Sequence, residues 1–172
     1  QGSFEWGQRV PFLDDYPGFT AGTGIADAVT RGTSIAAEHM ITIGVLFATA
    51  LAVALLVRVL GGSRFGAAVA VAMVTVSTVF ATKLLAIRPE AMGYPLMLLV
   101  PVLAMDFVRA RRRIDLVALG LAFAALAQIH GIGLTVSAVL TLAGLLALIV
   151  ADRFSTGVVS WGRIGAVLGV MA

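Results

Sequence analysis

The sequence predicts an all-α, polytopic transmembrane helical bundle with about five spans, the start of a sixth, and an extracytoplasmic amino-terminal loop. Hydrophobic residues make up 60% of the chain and charged residues only 12%, with a mean hydropathy of +1.03. A soluble domain carries roughly 45–50% apolar and about 25% charged residues. The apolar residues also fall into blocks long enough to cross a hydrocarbon core of about 30 Å. Short polar turns and arginine-rich segments separate these blocks.

The segments follow one another in a regular order. Residues 1–39 form the extended polar region, where aromatic residues stand among acids, glycines and prolines, and this mixture predicts a loop at the membrane interface. Residues 25–37 could form a short interfacial helix within it. The transmembrane region covers residues 40–150, a cytoplasmic loop follows at 151–163, and residues 164–172 begin a truncated helix. Spans are predicted at residues 40–60, 65–87, 91–108, 114–129 and 132–150.

The boundary between the fourth and fifth spans lies inside one long apolar run. Residues 116–150 would measure roughly 52 Å as a single helix, which is too long for one crossing. Gln128, His130, Gly131 and Gly133 cluster within it and predict a break. The fourth helix would then reach only about two-thirds of the way across, leaving His130 in a cavity below the outer surface. The alternative is one full span with a short re-entrant piece.

The distribution of arginine and lysine predicts the orientation of the spans. Alternating spans place most basic residues on one side of the membrane, and an excess of basic residues marks the cytoplasmic side. The predicted cytoplasmic residues are Arg58, Arg64, Arg109, Arg111, Arg112, Arg113, Arg153 and Arg163, and the predicted outer ones are Arg9, Arg31, Lys83 and Arg88. The composition, rich in alanine, valine and arginine, is typical of a high-GC prokaryote, so we expect a multi-pass protein of its cell membrane.

Composition also excludes several classes of function. The chain has no cysteine and only two histidines, which removes disulfides, cysteine nucleophiles and most histidine-rich metal sites. The net charge of +3 does not indicate nucleic-acid binding, because the basic residues stand in short runs between apolar blocks. The expected partner is therefore the lipid bilayer, and no nucleic acid is expected. The chain begins at Gln1 and ends within an apolar segment, so we expect a piece of a longer protein.

Polar groups that are far apart in sequence are predicted to meet at the outer side. The candidates are Asp14, Asp15, Lys83, Arg88, Glu90 and His130. Ionisable groups at membrane depth are costly and usually line cavities or pair with one another. Each also has a structural explanation. The aspartates could be ordinary loop acids, Lys83 could reach the interface, Arg88 and Glu90 could pair at a helix end, and His130 could be buried beside a carbonyl.

The motifs resemble those of the GT-C superfamily, membrane glycosyltransferases that use polyprenyl- or dolichyl-phosphate-linked sugars, including mannosyltransferase-like members. The similar features are Asp14-Asp15 before Tyr16-Pro17-Gly18-Phe19, Arg88-Pro89-Glu90-Ala91 before an apolar helix, and the helix from Gly120 to His130-Gly131. The resemblance covers most of residues 12–150. It lacks the transmembrane helix that the family has before its acidic loop, which is what a truncated start would produce.

The resemblance implies a hexosyl or pentosyl transfer from a polyprenyl-phosphate sugar donor to an acceptor at the extracytoplasmic membrane face. It implies that Asp14 and Asp15 are the catalytic acids. A carboxylate would take the acceptor's proton, and Arg88, with Lys83 and His130, would bind the donor phosphate while Glu90 orients Arg88. The aspartate pair could also hold a divalent cation. A fragment without its flanking helices is expected to be inactive alone.

Two further functions remain open from the sequence. A multi-pass secondary transporter or permease would use Lys83, Arg88, Glu90 and His130 as a substrate or proton path near the bilayer midplane. The clustering of these charges near one surface and the absence of a repeated hydropathy pattern argue against it. A non-catalytic membrane assembly subunit would use the same charges only as anchors at helix ends. A polysaccharide polymerase or ligase would have a similar profile within the enzyme class.

Overall fold

The computed structural model describes residues 24–26, 28–29, 34–85, 89–129, 131–155 and 158–172. Of these residues 91% are helical and none lies in a strand, so the all-α prediction is confirmed for the described chain. Residues 24–26 and 28–29 are helical, and from residue 34 onward the described helices are α1 (Ser34–Val59), α2 (Arg64–Thr75), α3 (Thr78–Leu85), α4 (Pro89–Ala110), α5 (Arg113–Ile129), α6 (Gly131–Ser155) and α7 (Trp161–Met171).

Three of the described helices are long and apolar enough to cross a membrane. They are α1 over Ala36–Val59, α4 over Ala91–Ala110 and the whole of α6. The 25 residues of α6 extend over roughly 37 Å, which exceeds a hydrocarbon core of about 30 Å. These helices indicate a membrane protein. Helix α5 has 17 residues and is roughly 25 Å long, shorter than the three candidate spans.

The first two helices are joined by a tight turn whose geometry depends on glycine. The amide of Gly62 donates to the carbonyl of Val57 at 2.8 Å, and that of Gly61 donates to the carbonyl of Arg58 at 3.0 Å. This pair of bonds is the Schellman motif, which needs a left-handed residue, and Gly61 has a φ of 88°. Ser63 then begins α2, because its hydroxyl accepts a bond from the Gly66 amide at 3.0 Å.

The segment predicted as one span over residues 65–87 contains two helices. Helix α2 ends at Thr75 and α3 begins at Thr78. Serine and threonine side chains compete for backbone groups at this break. Thr75 donates its hydroxyl to the carbonyls of Val71 and Ala72, each at 3.0 Å, and the Ser77 hydroxyl accepts from the Phe80 amide at 3.5 Å. Ser77 therefore caps the start of α3.

Helix α4 is the central element of the described bundle. It packs against α1, α3, α5, α6 and α7, and it continues through Pro95 and Pro101. Proline is tolerated in such helices because neighbouring helices and local adjustments satisfy the freed backbone groups. The main buried cluster consists of Val100, Ala104, Met105, Val108, Leu119, Ala122, Leu145, Leu148, Ile164 and Val167. Helices α5, α6 and α7 thus pack around the second half of α4.

Helices α4 and α6 approach one another closely at a glycine. A Cβ atom built on Gly144 would lie 2.7 Å from the sulfur of Met105, which is shorter than a van der Waals contact of about 3.5–4.0 Å. Ser137 and Thr141 precede Gly144 on the buried side of α6. Small residues at such spacing allow transmembrane helices to pack with their backbones close together. A side chain at position 144 therefore fits between α4 and α6 only when the end of the Met105 side chain moves away.

Two arginines form hydrogen bonds that connect three helices at one end of the bundle, which we call the arginine end. Arg109, in the last turn of α4, donates through Nη1 to the carbonyl of Val59, the last residue of α1. Arg163, in the first turn of α7, donates through Nη1 to the carbonyl of Val108 in α4. Positive charge is stabilising at helix carboxyl ends, where carbonyls lack partners. The ends of α1 and α4 and the start of α7 therefore lie together.

The short connections between helices show which helix termini lie at the opposite end of the bundle, which we call the far end. Helix α1 runs toward the arginine end, and so does α4, which starts four residues after the last residue of α3 at Leu85. Helix α5 leaves the arginine end after Arg111 and Arg112, and it ends at Ile129, two positions before α6 returns. Leu85, Pro89, Ile129 and Gly131 are therefore the helix termini at the far end.

Candidate functional site

Most of the predicted site residues fall outside the described part of the chain. This applies to Asp14, Asp15, Arg88 and His130. The backbone of Lys83 belongs to α3, and the backbone of Glu90 belongs to the first turn of α4, but their side chains are outside the description. The proximity of these side chains to one another therefore stays a prediction, and the described residues around them define the surroundings.

A second buried cluster joins the helices that carry Lys83 and Glu90. Val45 of α1, Phe80 of α3 and Ala91 of α4 are buried together. The rings of Phe80 and Tyr94 have centroids 5.8 Å apart and are tilted by 39°, a favourable separation for an aromatic pair. Phe80 precedes Lys83 by three positions, and Ala91 follows Glu90 directly. Helix α3, which includes Lys83, and helix α4, which includes Glu90, therefore pack against each other and against α1.

The start of α1 lies at the same end as this second cluster. Ile41, Leu46 and Val45 of α1 pack in it, and Glu38 and His39 come one turn earlier in the helix. The sequence suggests that Glu38 and His39 mark a helix end at the interface. The structure begins α1 at Ser34, so both residues belong to the helix, with Glu38 half-buried and His39 exposed.

The α5–α6 hairpin contributes the remaining predicted position. Helix α5 ends at Ile129 and α6 begins at Gly131, so residue 130 alone connects them. Gln128, in the last turn of α5, is exposed. This connection lies at the far end, as do the end of α3 and the start of α4. The end of α3, the start of α4 and the α5–α6 connection therefore lie at one end of the bundle, and each carries a predicted site position.

The described residues at the far end limit the kinds of site that could form there. Among the described residues, no group of three or more histidine, aspartate or glutamate side chains is close enough to hold a metal ion. A site at this end would combine acids and bases from separate connections. Because Phe80, Ala91 and Val45 are apolar, charges beside them would interact in surroundings of low dielectric constant, where electrostatic effects are strong.

Sequence reasoning missed three polar side chains that the fold buries. The hydroxyls of Thr49 and Ser137 and the Oδ2 atom of Asp115 are buried without a hydrogen-bond partner among the described residues. Ser137 is followed by Thr141, whose hydroxyl donates to the Ser137 carbonyl at 2.8 Å. The spacing of Gly133, Ser137, Thr141 and Gly144 could have indicated a buried stripe of small residues. No comparable pattern marks Thr49 or Asp115.

The chain was compared with protein families, curated proteins and solved structures. No family model, curated protein or solved structure matches it. The helices, the charges and the motifs therefore carry the functional argument by themselves.

Proposed function

We propose that this protein is a membrane glycosyltransferase that moves a sugar from a polyprenyl-phosphate-linked donor to an acceptor at the extracytoplasmic membrane face. The observation that carries the proposal is the pattern of three polar motifs along the sequence. These are Asp14-Asp15 in the amino-terminal polar region, and Arg88-Pro89-Glu90 and His130-Gly131, which each stand next to an apolar helix. Their order and spacing resemble those of the GT-C superfamily.

The course of the described helices supports the proposal. The end of α3, the start of α4 and the α5–α6 connection lie at one end of the bundle, away from Arg109 and Arg163. Two of the three motifs therefore belong to connections at the same end. If the arginine end is cytoplasmic, as the excess of basic residues predicts, both motifs face the extracytoplasmic side. A donor could then keep its prenyl chain in the lipid while its phosphate and sugar enter between the helices.

The proposed reaction assigns a role to each candidate. The acceptor oxygen forms a bond to the anomeric carbon of the sugar, and the bond from that carbon to the phosphate oxygen breaks, leaving its electron pair on polyprenyl phosphate. Asp14 or Asp15 takes the proton of the acceptor as general base. Arg88 binds the departing phosphate through two parallel hydrogen bonds, and Lys83 and His130 add positive charge or donors. Glu90 orients Arg88.

Sugar transfer by the intact natural protein tests the proposal. Membranes containing each variant would be supplied with radiolabelled polyprenyl-phosphate hexoses and pentoses, and transfer to endogenous acceptors would be measured. Replacing Asp14 or Asp15 with Asn should lower transfer by roughly 10²–10⁴-fold, because the general base is lost. Glu5→Gln, in the same loop, is the matched control and should retain transfer.

The arginine has its own matched control at the other end of the α2–α3 pair. Arg88→Lys keeps the charge but loses the planar fork, so transfer should fall at least tenfold, whereas Arg64→Lys should have no effect. Full transfer by both aspartate variants would refute the catalytic assignment. Substrate uptake that depends on Arg88 or His130 and is indifferent to Asp14 would instead identify a transporter. Unchanged chemistry in every variant would identify an assembly subunit.

A further inference from the structure

The arginine end carries a dense positive surface that the proposed chemistry does not use. We call Arg109, Arg111, Arg112, Arg113 and Arg163 the arginine cluster. Arg109, Arg111, Arg112 and Arg113 are exposed and Arg163 is half-buried. The described acids at this end, Asp106, Asp115 and Asp152, are all buried or half-buried. The five arginines of the cluster outnumber these three acids, and four of the five are exposed, so the exposed surface of this end is positive.

The fold fixes two members of this cluster in place. The guanidinium groups of Arg109 and Arg163 each donate through Nη1 to a carbonyl at a helix end, Val59 for one and Val108 for the other. A guanidinium has five N–H donors in a rigid plane, so each of these groups retains donors beyond the one used here. Arg109 reaches from α4 toward α1, and Arg163 reaches from α7 toward α4. Positive charge therefore lies at the carboxyl ends of both α1 and α4.

An exposed apolar strip begins directly beside the cluster. Ile114, Val117 and Leu121 on α5 are 69%, 59% and 68% exposed. Positions 114, 117 and 121 share one face of a helix, and position 113 is one turn before 117. Arg113 therefore stands at the arginine end of an apolar strip that runs along α5 into the membrane. Trp161, 65% exposed at the start of α7, is a residue typical of the membrane–water interface.

We propose that the arginine cluster and the apolar strip of α5 together bind an anionic phospholipid, with the phosphate on the arginines and an acyl chain along Ile114, Val117 and Leu121. Arginine pairs with phosphate through two parallel hydrogen bonds, and basic clusters next to membrane helices attract anionic headgroups. The apolar strip distinguishes a lipid from a free phosphate ion, because only the lipid has chains to cover it. The site is separate from the proposed active site, which lies at the other end of the helices.

Binding of phosphatidylglycerol to the intact natural protein in nonionic detergent tests the proposal. Native mass spectrometry would measure the apparent affinity, with phosphatidylcholine as the zwitterionic comparison. We expect the wild-type protein to bind phosphatidylglycerol at least tenfold more tightly. The variant Arg111→Gln/Arg112→Gln/Arg113→Gln should bind it roughly a hundredfold more weakly, because each basic residue near the surface contributes about fivefold.

A matched control variant distinguishes a specific lipid site from nonspecific electrostatic attraction between the anionic lipid and the positive surface. Arg58, Arg64 and Arg153 are also exposed at the arginine end but lie on α1, α2 and α6, outside the cluster. Replacing these three with Gln removes the same charge but leaves the arginine cluster intact, and it should weaken binding less than fivefold, because the proposed phosphate contacts are made by the cluster. Replacing Arg111, Arg112 and Arg113 with Lys keeps the charge and the membrane orientation but removes the forks, and should give an intermediate loss.

Three results of the binding measurements would contradict the proposed lipid site. Equal weakening in the two Gln variants would mean that the surface attracts anions without a site. Equal affinity for phosphatidylglycerol and phosphatidylcholine would remove the role of the headgroup charge. Displacement of the lipid by inorganic phosphate at millimolar concentration would identify a phosphate site in which the apolar strip has no part.

Discussion

The close contact between α4 and α6 gives the sharpest test of the fold. In Gly144→Ala, the new methyl group would lie 2.7 Å from Sδ of Met105 and 3.3 Å from its Cε. Because ordinary carbon contacts are about 3.5–4.0 Å, one of the two must move by roughly 1 Å. Met105 is only 1% exposed, so it has little free space into which it can move. Overpacking of this kind costs about 1–3 kcal/mol.

The helix propensity of alanine works in the opposite direction. Alanine favours a helix by about 1 kcal/mol relative to glycine, which would hide part of the steric cost. Gly44, in the middle of α1, is the matched control because a Cβ built there meets nothing within 4 Å. Gly44→Ala should therefore show only the stabilisation that comes from the higher helix propensity of alanine, without a steric cost. The free energy of unfolding of Gly144→Ala should therefore be about 1–3 kcal/mol lower than that of Gly44→Ala.

Reversible unfolding in mixed micelles of increasing dodecyl sulfate content, followed by circular dichroism, would measure both variants. Shortening the opposing side chain with Met105→Val should recover part of the loss in Gly144→Ala, because the two sites are in contact and their effects do not add. If Gly144→Ala were as stable as Gly44→Ala, or if Met105→Val gave no recovery, the close contact between Gly144 and the Met105 side chain would be refuted.

The same unfolding assay checks three further substitutions. Gly61→Ala should lower stability by about 1–2 kcal/mol, because Gly61 has a φ of 88° and a side chain is strained in that conformation. Arg111 has a φ of 60°, so Arg111→Gly should raise stability by about 1 kcal/mol, whereas Arg112→Gly should not. Ser137→Ala should raise stability by about 1 kcal/mol, because the Ser137 hydroxyl is buried without a partner; a clear loss would indicate a partner outside the described residues.

The sequence predicted the helical nature of the fold and the arginine-rich end. Composition excludes a soluble domain, and short polar turns between the apolar blocks were predicted, one of which is Gly61-Gly62-Ser63, where glycine and serine are the residues that the turn requires. The break at Val76 and Ser77 was not predicted, since a run of valine and threonine continues the apolar pattern across it. Hydropathy measures transfer into lipid and is insensitive to hydroxyl groups that bond to their own backbone.

For the candidate site, the sequence predicted the residue types and the side of the membrane, and these remain predictions. Asp14, Asp15, Arg88 and His130 stand at loops or connections, where neither periodicity nor burial fixes a side chain. The structure adds the packing of Phe80 against Tyr94, which joins α3 to α4. Periodicity could not reveal that contact, because it identifies a buried face without identifying its partner helix.

The sequence by itself determined that this chain is helical, belongs in a membrane and carries most of its arginines near alternate connections between helices, because hydropathy and charge are properties of each segment alone. The tertiary structure decided that α4 is the central helix, that Gly144 meets Met105, and that Arg109 and Arg163 bond to the carbonyls of Val59 and Val108. These contacts join residues that are 39 to 55 positions apart in the sequence. They depend on which helices pack side by side, and in a chain that is apolar on nearly every face that choice comes from close packing and hydrogen bonding between helices.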